Sequence, residues 1–235
     1  MTTFPLKKSE GHFIITVDGD NYIIDTGASM SCSCYGQTEL VIGDRKFDVY
    51  PLPLEKVGEK ISELVHMPIV GLIGLDIMEE LGSIEISEKE GYVRFGGETT
   101  IECGDYAFSF EVTKGFRVLT TGLKVNGKDT KVILDSGARI DYMDPSLLDT
   151  TTAVSHEMDY NPIIGSFEVD GYNATYAIGD RVIDTVSYAA TEKLKAYVSQ
   201  LGIHDISGVV GLNGFLKGMK SLSIDFRNRK VILKA

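Results

Sequence analysis

Short runs of apolar and β-branched residues alternate with Gly-, Asp- and Asn-rich turns along most of the chain, which is the pattern of strands. Phe13-Ile14-Ile15-Thr16-Val17 and Tyr22-Ile23-Ile24 flank Asp18-Gly19, and Thr121–Val125 and Val132-Ile133-Leu134 flank Asn126-Gly127. Each set predicts a β-hairpin, because Asp-Gly and Asn-Gly supply the left-handed backbone that tight turns need. Apolar helical spacing is convincing in one place and weaker in another. Leu194, Tyr197, Val198 and Leu201 fall at i, i+3, i+4 and i+7, with Thr191 able to cap the segment and Gly202 to close it. Leu54–Leu64 is a weaker counterpart, interrupted by Gly58. The expectation is a mostly β protein with a few short helices.

The pattern occurs twice. Ile23-Ile24-Asp25-Thr26-Gly27-Ala28 is matched 110 residues later by Ile133-Leu134-Asp135-Ser136-Gly137-Ala138. Ile42-Gly43-Asp44-Arg45 with Asp48 is matched 136 residues later by Ile178-Gly179-Asp180-Arg181 with Asp184. Ile69-Val70-Gly71-Leu72 with Gly74 aligns with Val209-Val210-Gly211-Leu212 and Gly214, an offset of 140. Ser83–Ile86 and Tyr92–Phe95 likewise match Ser221–Ile224 and Lys230–Leu233. Four blocks in one order indicate a duplication. Two lobes are expected, 1–103 and 104–235.

Composition narrows the partners. With 23 Lys+Arg against 34 Asp+Glu the net charge is −11, and no basic stripe offsets it, so nucleic acid and anionic membrane surfaces are not expected partners. No apolar stretch approaches the length of a membrane span, and the apolar run after Lys7 and Lys8 is too short for a signal segment. A cytoplasmic location is the expectation. Cys32, Cys34 and Cys103 are odd in number and lack metal-ligand spacing, so free thiols and no metal are expected.

The chemistry concentrates in the two Asp turns. Each Asp ends a buried apolar run, followed by a small hydroxyl residue and a Gly that permits close backbone approach. One such motif is an ordinary turn signature and a weak signal; two, each in its copy of a duplicated lobe, are a strong one. The motifs Asp25-Thr26-Gly27-Ala28 and Asp135-Ser136-Gly137-Ala138, with Ile69-Val70-Gly71 and Val209-Val210-Gly211, resemble those of aspartic peptidases. Retroviral-type members carry one such lobe per subunit, and pepsins carry two in one chain. The resemblance implies two pseudo-two-fold-related closed β lobes (the acid-protease fold) with a cleft between them. It implies Asp25 and Asp135 as a catalytic dyad, supported by Thr26, Gly27, Ala28, Ser136, Gly137 and Ala138. In this picture Thr26 and Ser136 interlock, and Gly71 and Gly211 close loops beneath the Asp turns. No cofactor is needed. Two close carboxyls share a proton; one activates a water while the other polarises the scissile carbonyl.

Three departures shape the expectation. The second lobe is 26 residues longer between its Asp turn and the Ile-Gly-Asp-Arg block. The stretch 158–169 predicts a single flap from the C-terminal lobe, with Ile163, Ile164, Gly165 and Ser166 facing substrate. Ala28 and Ala138 supply no hydroxyl to the carboxylates, which predicts a mildly acidic to near-neutral optimum. Arg139 stands where the first lobe has Ser29, and is expected to pair with an acid or narrow the cleft. His12, His66, His156 and His204 show no catalytic spacing, and Asp76, Glu79 and Glu80 read as a solvated helix face.

Together these predict a monomeric aspartic endopeptidase acting on peptide or protein substrates and open to statine-type inhibitors. The alternative is a peptide-binding module of the same fold without turnover.

Overall fold

The computed structural model describes residues 1–52 and 55–235. The protein is mostly β, and the described helices are short: α1 (Glu55–Leu64), α2 (Leu75–Leu81), α3 (Glu192–Gln200) and α4 (Asn213–Leu216). Leu54, where the first helix was expected to begin, lies outside the described residues. No described helix is long and apolar enough to cross a membrane.

The two Asp-bearing segments sit in equivalent places in two sheets. In the first, strands His12–Val17, Asp20–Ile24, Gly71–Ile73 and Cys32–Ser33 lie side by side in that order. In the second the same places are taken by Leu119–Val125, Lys128–Asp135, Gly208–Gly211 and Asp141–Met143. Both hairpins turn at a residue with positive φ followed by Gly, Asp18-Gly19 and Asn126-Gly127, as the dipeptides predict. The second sheet closes on itself, because Lys124 and Val125 pair with Ala177 and Tyr176 of the long strand Gly165–Ile178. In the first half, the hairpin Glu39–Ile42/Arg45–Asp48 forms a separate two-stranded ribbon.

The register of the third repeated block corrects the sequence alignment. Tyr22 pairs with Gly71 and Ile24 with Ile73, whereas Val132 pairs with Gly208 and Asp135 with Gly211. Gly74 is therefore the counterpart of Gly211, and Gly71 that of Gly208. Gly recurs every third residue at 208, 211 and 214, so the sequence matched equally well one step out of frame. Steric demand identifies the true pair. A Cβ on Gly74 would lie 2.9 Å from the carbonyl oxygen of Ala28, and one on Gly211 would lie 2.7 Å from that of its counterpart Ala138.

A third sheet joins the halves, in the order Thr2–Pro5, Tyr92–Phe95, Ser83–Ser87, Ser221–Asp225, Lys230–Lys234, Tyr106–Ser109. Its centre pairs the matched blocks antiparallel, Ile84 against Ile224. One apolar cluster runs through all three sheets, with Phe13, Ile24, Ile84, Phe95, Leu134 and Ile224 inaccessible or nearly so. Each such side chain contributes about 1.5–3 kcal/mol on burial, so the alternating strands are held by what they jointly cover.

Of the acids of α2, Glu80 is exposed as expected, whereas Asp76 and Glu79 are partly buried rather than a solvated face. Asp76 accepts from the amide and hydroxyl of Ser31 (2.9 and 2.6 Å), Glu79 pairs with Arg117, and Glu80 with Arg45. The sequence reading missed these because each partner is 35–45 residues away along the chain. The three cysteines are free thiols.

Candidate active site

Each Asp turn is built by its own backbone. The Gly27 amide donates to Asp25 Oδ1 (2.9 Å) and the Gly137 amide to Asp135 Oδ1 (2.8 Å). The amides of Ala28 and Ala138 return to the carbonyls of Asp25 and Asp135 (3.3 and 3.2 Å). The two turns then face one another. A Cβ on Gly27 would lie 2.4 Å from Asp135 Cγ, and one on Gly137 would lie 2.6 Å from Asp25 Cγ. Only glycine lets each backbone approach the opposite carboxyl this closely.

Behind the carboxyls the hydroxyl residues interlock. Thr26 Oγ1 donates to the Leu134 carbonyl and accepts from the Ser136 amide, both at 2.9 Å. Ser136 Oγ donates to the Ile24 carbonyl (2.8 Å) and accepts from the Thr26 amide (2.9 Å). Both side chains are fully buried. Four satisfied bonds in a dry setting fix the two turns relative to one another.

The electrostatics follow from that proximity. Burial and the neighbouring Asp135 carboxyl, which also hydrogen-bonds to it, raise the pKa of Asp25 well above the ordinary carboxyl range. Burial also raises that of Asp135. The backbone amides oppose this in both cases but do not overcome it. Two desolvated carboxyls in contact hold one proton between them, because ionising both would leave adjacent like charges. Among the described residues no side-chain hydroxyl donates to either carboxylate, in keeping with alanine at 28 and 138.

Both carboxyls open onto a cavity of about 710 Å³. Its other walls come from both halves of the chain. Ile61, Leu64 and Val65 line it from α1 and the residue after it, and Leu194, Tyr197 and Val198 from α3. Thr191 caps α3 by accepting from the Leu194 amide (3.2 Å), and Gly202 (φ +72°) follows its end. In α1 the expected interruption, Gly58, is the buried position, where a Cβ would lie 2.9 Å from Cys34 Cβ.

The longer second-lobe stretch forms a hairpin along one side of the cavity, Ser155–Asn161 against Gly165–Ile178, in register from Ser155↔Gly171 to Asn161↔Gly165. At its tip the Asn161 side chain accepts from the amides of Ile163 and Ile164 (2.9 and 3.1 Å), and Gly165 takes φ +86°. Of the four residues expected to face substrate, Ile163 and Ser166 line the cavity; Ile164 instead packs against the buried cluster of Tyr142, Val169, Tyr188 and Leu194, and Gly165 makes the turn. Met158, Tyr160 and Phe167 line it as well. Strand alternation accounts for this: the tip turn rotates successive side chains to different sides.

Three further lining residues carry polar chemistry. Arg139 reaches the hairpin, with Nη1 3.2 Å from Glu157 Oε2 and Nη2 donating to the Met158 carbonyl (3.0 Å). His12 has its Nδ1 buried without a partner; burial lowers its pKa, against the pull of Asp159 and Asp135. Tyr197 is raised by burial and by the charges of Asp25 and Asp135. The sequence marked Tyr197 only as a helix-core position and His12 only as a lone histidine. Nothing local to either announces a cavity that assembles from distant strands.

No protein-family model matches the chain, and no curated protein matches it. Similar solved structures include two proteases. The solution structure of simian foamy virus (mac) protease is 14% identical, with a TM-score of 0.30, covering 40% of this chain and 89% of that one. The crystal structure of a retropepsin-like aspartic protease from Rickettsia conorii is 15% identical, with a TM-score of 0.39, covering 58% and 95%.

Proposed function

We propose that the protein is an aspartic endopeptidase in which Asp25 and Asp135 activate a water to hydrolyse a peptide bond. The carrying observation is the reciprocal approach of Gly27 to Asp135 and Gly137 to Asp25, which puts two proton-sharing carboxyls side by side on a cavity floor. The ionised member takes a proton from water as its oxygen attacks the carbonyl carbon. The protonated member donates to the carbonyl oxygen, giving a neutral gem-diol. Collapse re-forms the carbonyl, breaks the C–N bond and passes a proton to the departing nitrogen. The elevated pKa of the dyad keeps this one-proton state populated above the ordinary carboxyl range, toward mildly acidic and neutral pH.

In this reading the 155–178 hairpin is the flap, an extended peptide lies between it and the dyad, and Ile163 and Ser166 meet the substrate. The walls supplied by α1 and α3 accept apolar side chains, which the burial of their own apolar surface favours. The fusion of both Asp turns in one chain supports a monomer as the working unit.

Binding of a statine-type inhibitor, whose hydroxyl occupies the place of the gem-diol, tests the site directly. Calorimetry should show tight binding to the wild type, weakened at least about a hundredfold in both Asp25→Asn and Asp135→Asn, as for a transition-state mimic. Equal affinity across all three proteins would count against the dyad.

A further inference from the structure

Arg139 follows the Asp135-Ser136-Gly137-Ala138 turn directly, yet its guanidinium is spent on the hairpin. Besides Glu157 Oε2 at 3.2 Å and the Met158 carbonyl at 3.0 Å, its Nε lies 3.6 Å from Asp159 Oδ1. Strand alternation brings Glu157 and Asp159 to one face of the rising strand Ser155–Asn161. Asp159 is also held by the Tyr142 hydroxyl, and the Tyr142 ring lies tilted against Phe167 of the returning strand, centroids 6.1 Å apart.

The rising strand needs such ties. It is the edge of its sheet and hydrogen-bonds as a strand only to its hairpin partner. His156 pairs with Asp170 within the hairpin itself. At the root Ser155 meets Tyr188 (3.1 Å); further along, the side-chain ties to the body among the described residues run to Arg139 and Tyr142. The first half of the chain makes room for this. Gly11 takes φ +83°, and a Cβ there would lie 3.0 Å from Arg139 Cγ. Arg139 and Asp159 side chains are only 23% and 19% exposed, so solvent and salt screen the pair less than a surface one.

We propose that Arg139 is a positioning residue that latches the hairpin over Asp25 and Asp135, so that closure on substrate is set by its grip on Glu157, Asp159 and the Met158 carbonyl. The proposal rests on the peptidase reading for its kinetic consequence but not for its structural one. Arginine suits the task because its planar fork satisfies two acids and a carbonyl at once, which a lysine cannot reproduce. The latch also explains why the position is Ser29 in the first half: the hairpin of that half, Glu39–Ile42/Arg45–Asp48, contributes no residue to the cavity, and Ser29 instead bonds the backbone of Arg117 at 2.8 Å.

Hydrogen exchange and kinetics on the full chain test it. Arg139→Gln should speed amide exchange about tenfold or more across 155–171 and leave the strands 119–125 and 128–135 protected. KM for a peptide substrate should rise about tenfold with kcat changed less than about threefold, Arg139→Lys falling between. Asp159→Asn should shift exchange in the same direction. Exchange and KM within about twofold of wild type in Arg139→Gln would overturn the proposal. So would loss of protection throughout the second sheet, which marks a merely structural role. If the wild type cleaves nothing, the peptidase reading fails, and exchange over 155–171 alone still decides the latch.

Discussion

Thr26 and Ser136 each take the other's backbone amide as a hydrogen-bond donor, at 2.9 Å in both directions. Each also donates to a carbonyl of the opposite strand, so the two halves of the chain are joined at the very base of the Asp turns. Replacing either by alanine removes two bonds and strands a buried amide and carbonyl. Thr26→Ala and Ser136→Ala should each lower stability by about 2–4 kcal/mol in denaturant titration. The four bonds are distinct but hold one interface, so the double variant should cost less than the sum, the first replacement already loosening the contact in which the second pair of bonds is made.

The glycines facing the carboxyls make a sharper case. A methyl at 27 or 137 would occupy space 2.4–2.6 Å from the opposing Asp Cγ, and the dyad must part to admit it. Gly27→Ala should fold, with an unchanged far-ultraviolet spectrum, and lose about a hundredfold in kcat/KM, the scale of an ångström-sized misplacement.

Asp141 links the second Asp turn to pH. Its Oδ1 accepts from the Gly211 amide at 2.8 Å, and burial raises its pKa from 3.8 to about 6, against the opposing hydrogen bonds of Gly211 and Tyr176. The folded value exceeds the unfolded one, so the protonated form's contribution is complete below about pH 4 and is lost as pH rises through about 6. That difference of about two units corresponds to about 3 kcal/mol. Asp141→Asn keeps the acceptor and cannot ionise. Its stability relative to wild type should therefore climb between about pH 4 and 6 and level off above, measured by denaturation at each pH.

Ile163 and Ile164 sit next to one another and should behave oppositely. Ile163 is 70% exposed and lines the cavity, so Ile163→Ser should raise KM several-fold with little change in melting temperature. Ile164 packs against the buried cluster of Tyr142, Val169, Tyr188 and Leu194, so Ile164→Ala should cost about 1–3 kcal/mol of stability.

The mostly β class, both hairpin turns and the capped helix α3 were legible in the sequence because their signals are local: Asp-Gly, Asn-Gly, and Thr191 with Gly202. The Asp turns were legible because duplication printed them twice. The frame of the Gly-x-x-Gly block was not, since Gly208, Gly211 and Gly214 offer equivalent matches and only the pairing of Asp135 with Gly211 separates them. His12, Tyr197 and the partners of Arg139 were not legible either. Their roles depend on which strand lies beside which, a property of the closed sheet rather than of any segment. Arg139 did announce itself as a departure from Ser29, although its partners, Glu157 and Asp159, lie 18 and 20 residues away.

The central claim is that Asp25 and Asp135 together cleave peptide bonds. Its most direct measurement is digestion of a diverse peptide mixture between about pH 3 and 8, the range over which a shared-proton pair titrates. Wild type would be compared with Asp25→Asn and Asp135→Asn, and the fragments identified by mass. The account predicts cleavage by the wild type, persisting above the ordinary carboxyl pKa, with apolar residues flanking the cut and no cleavage by either variant. Cleavage that survives in either variant, or none by the folded wild type at any pH, would contradict it.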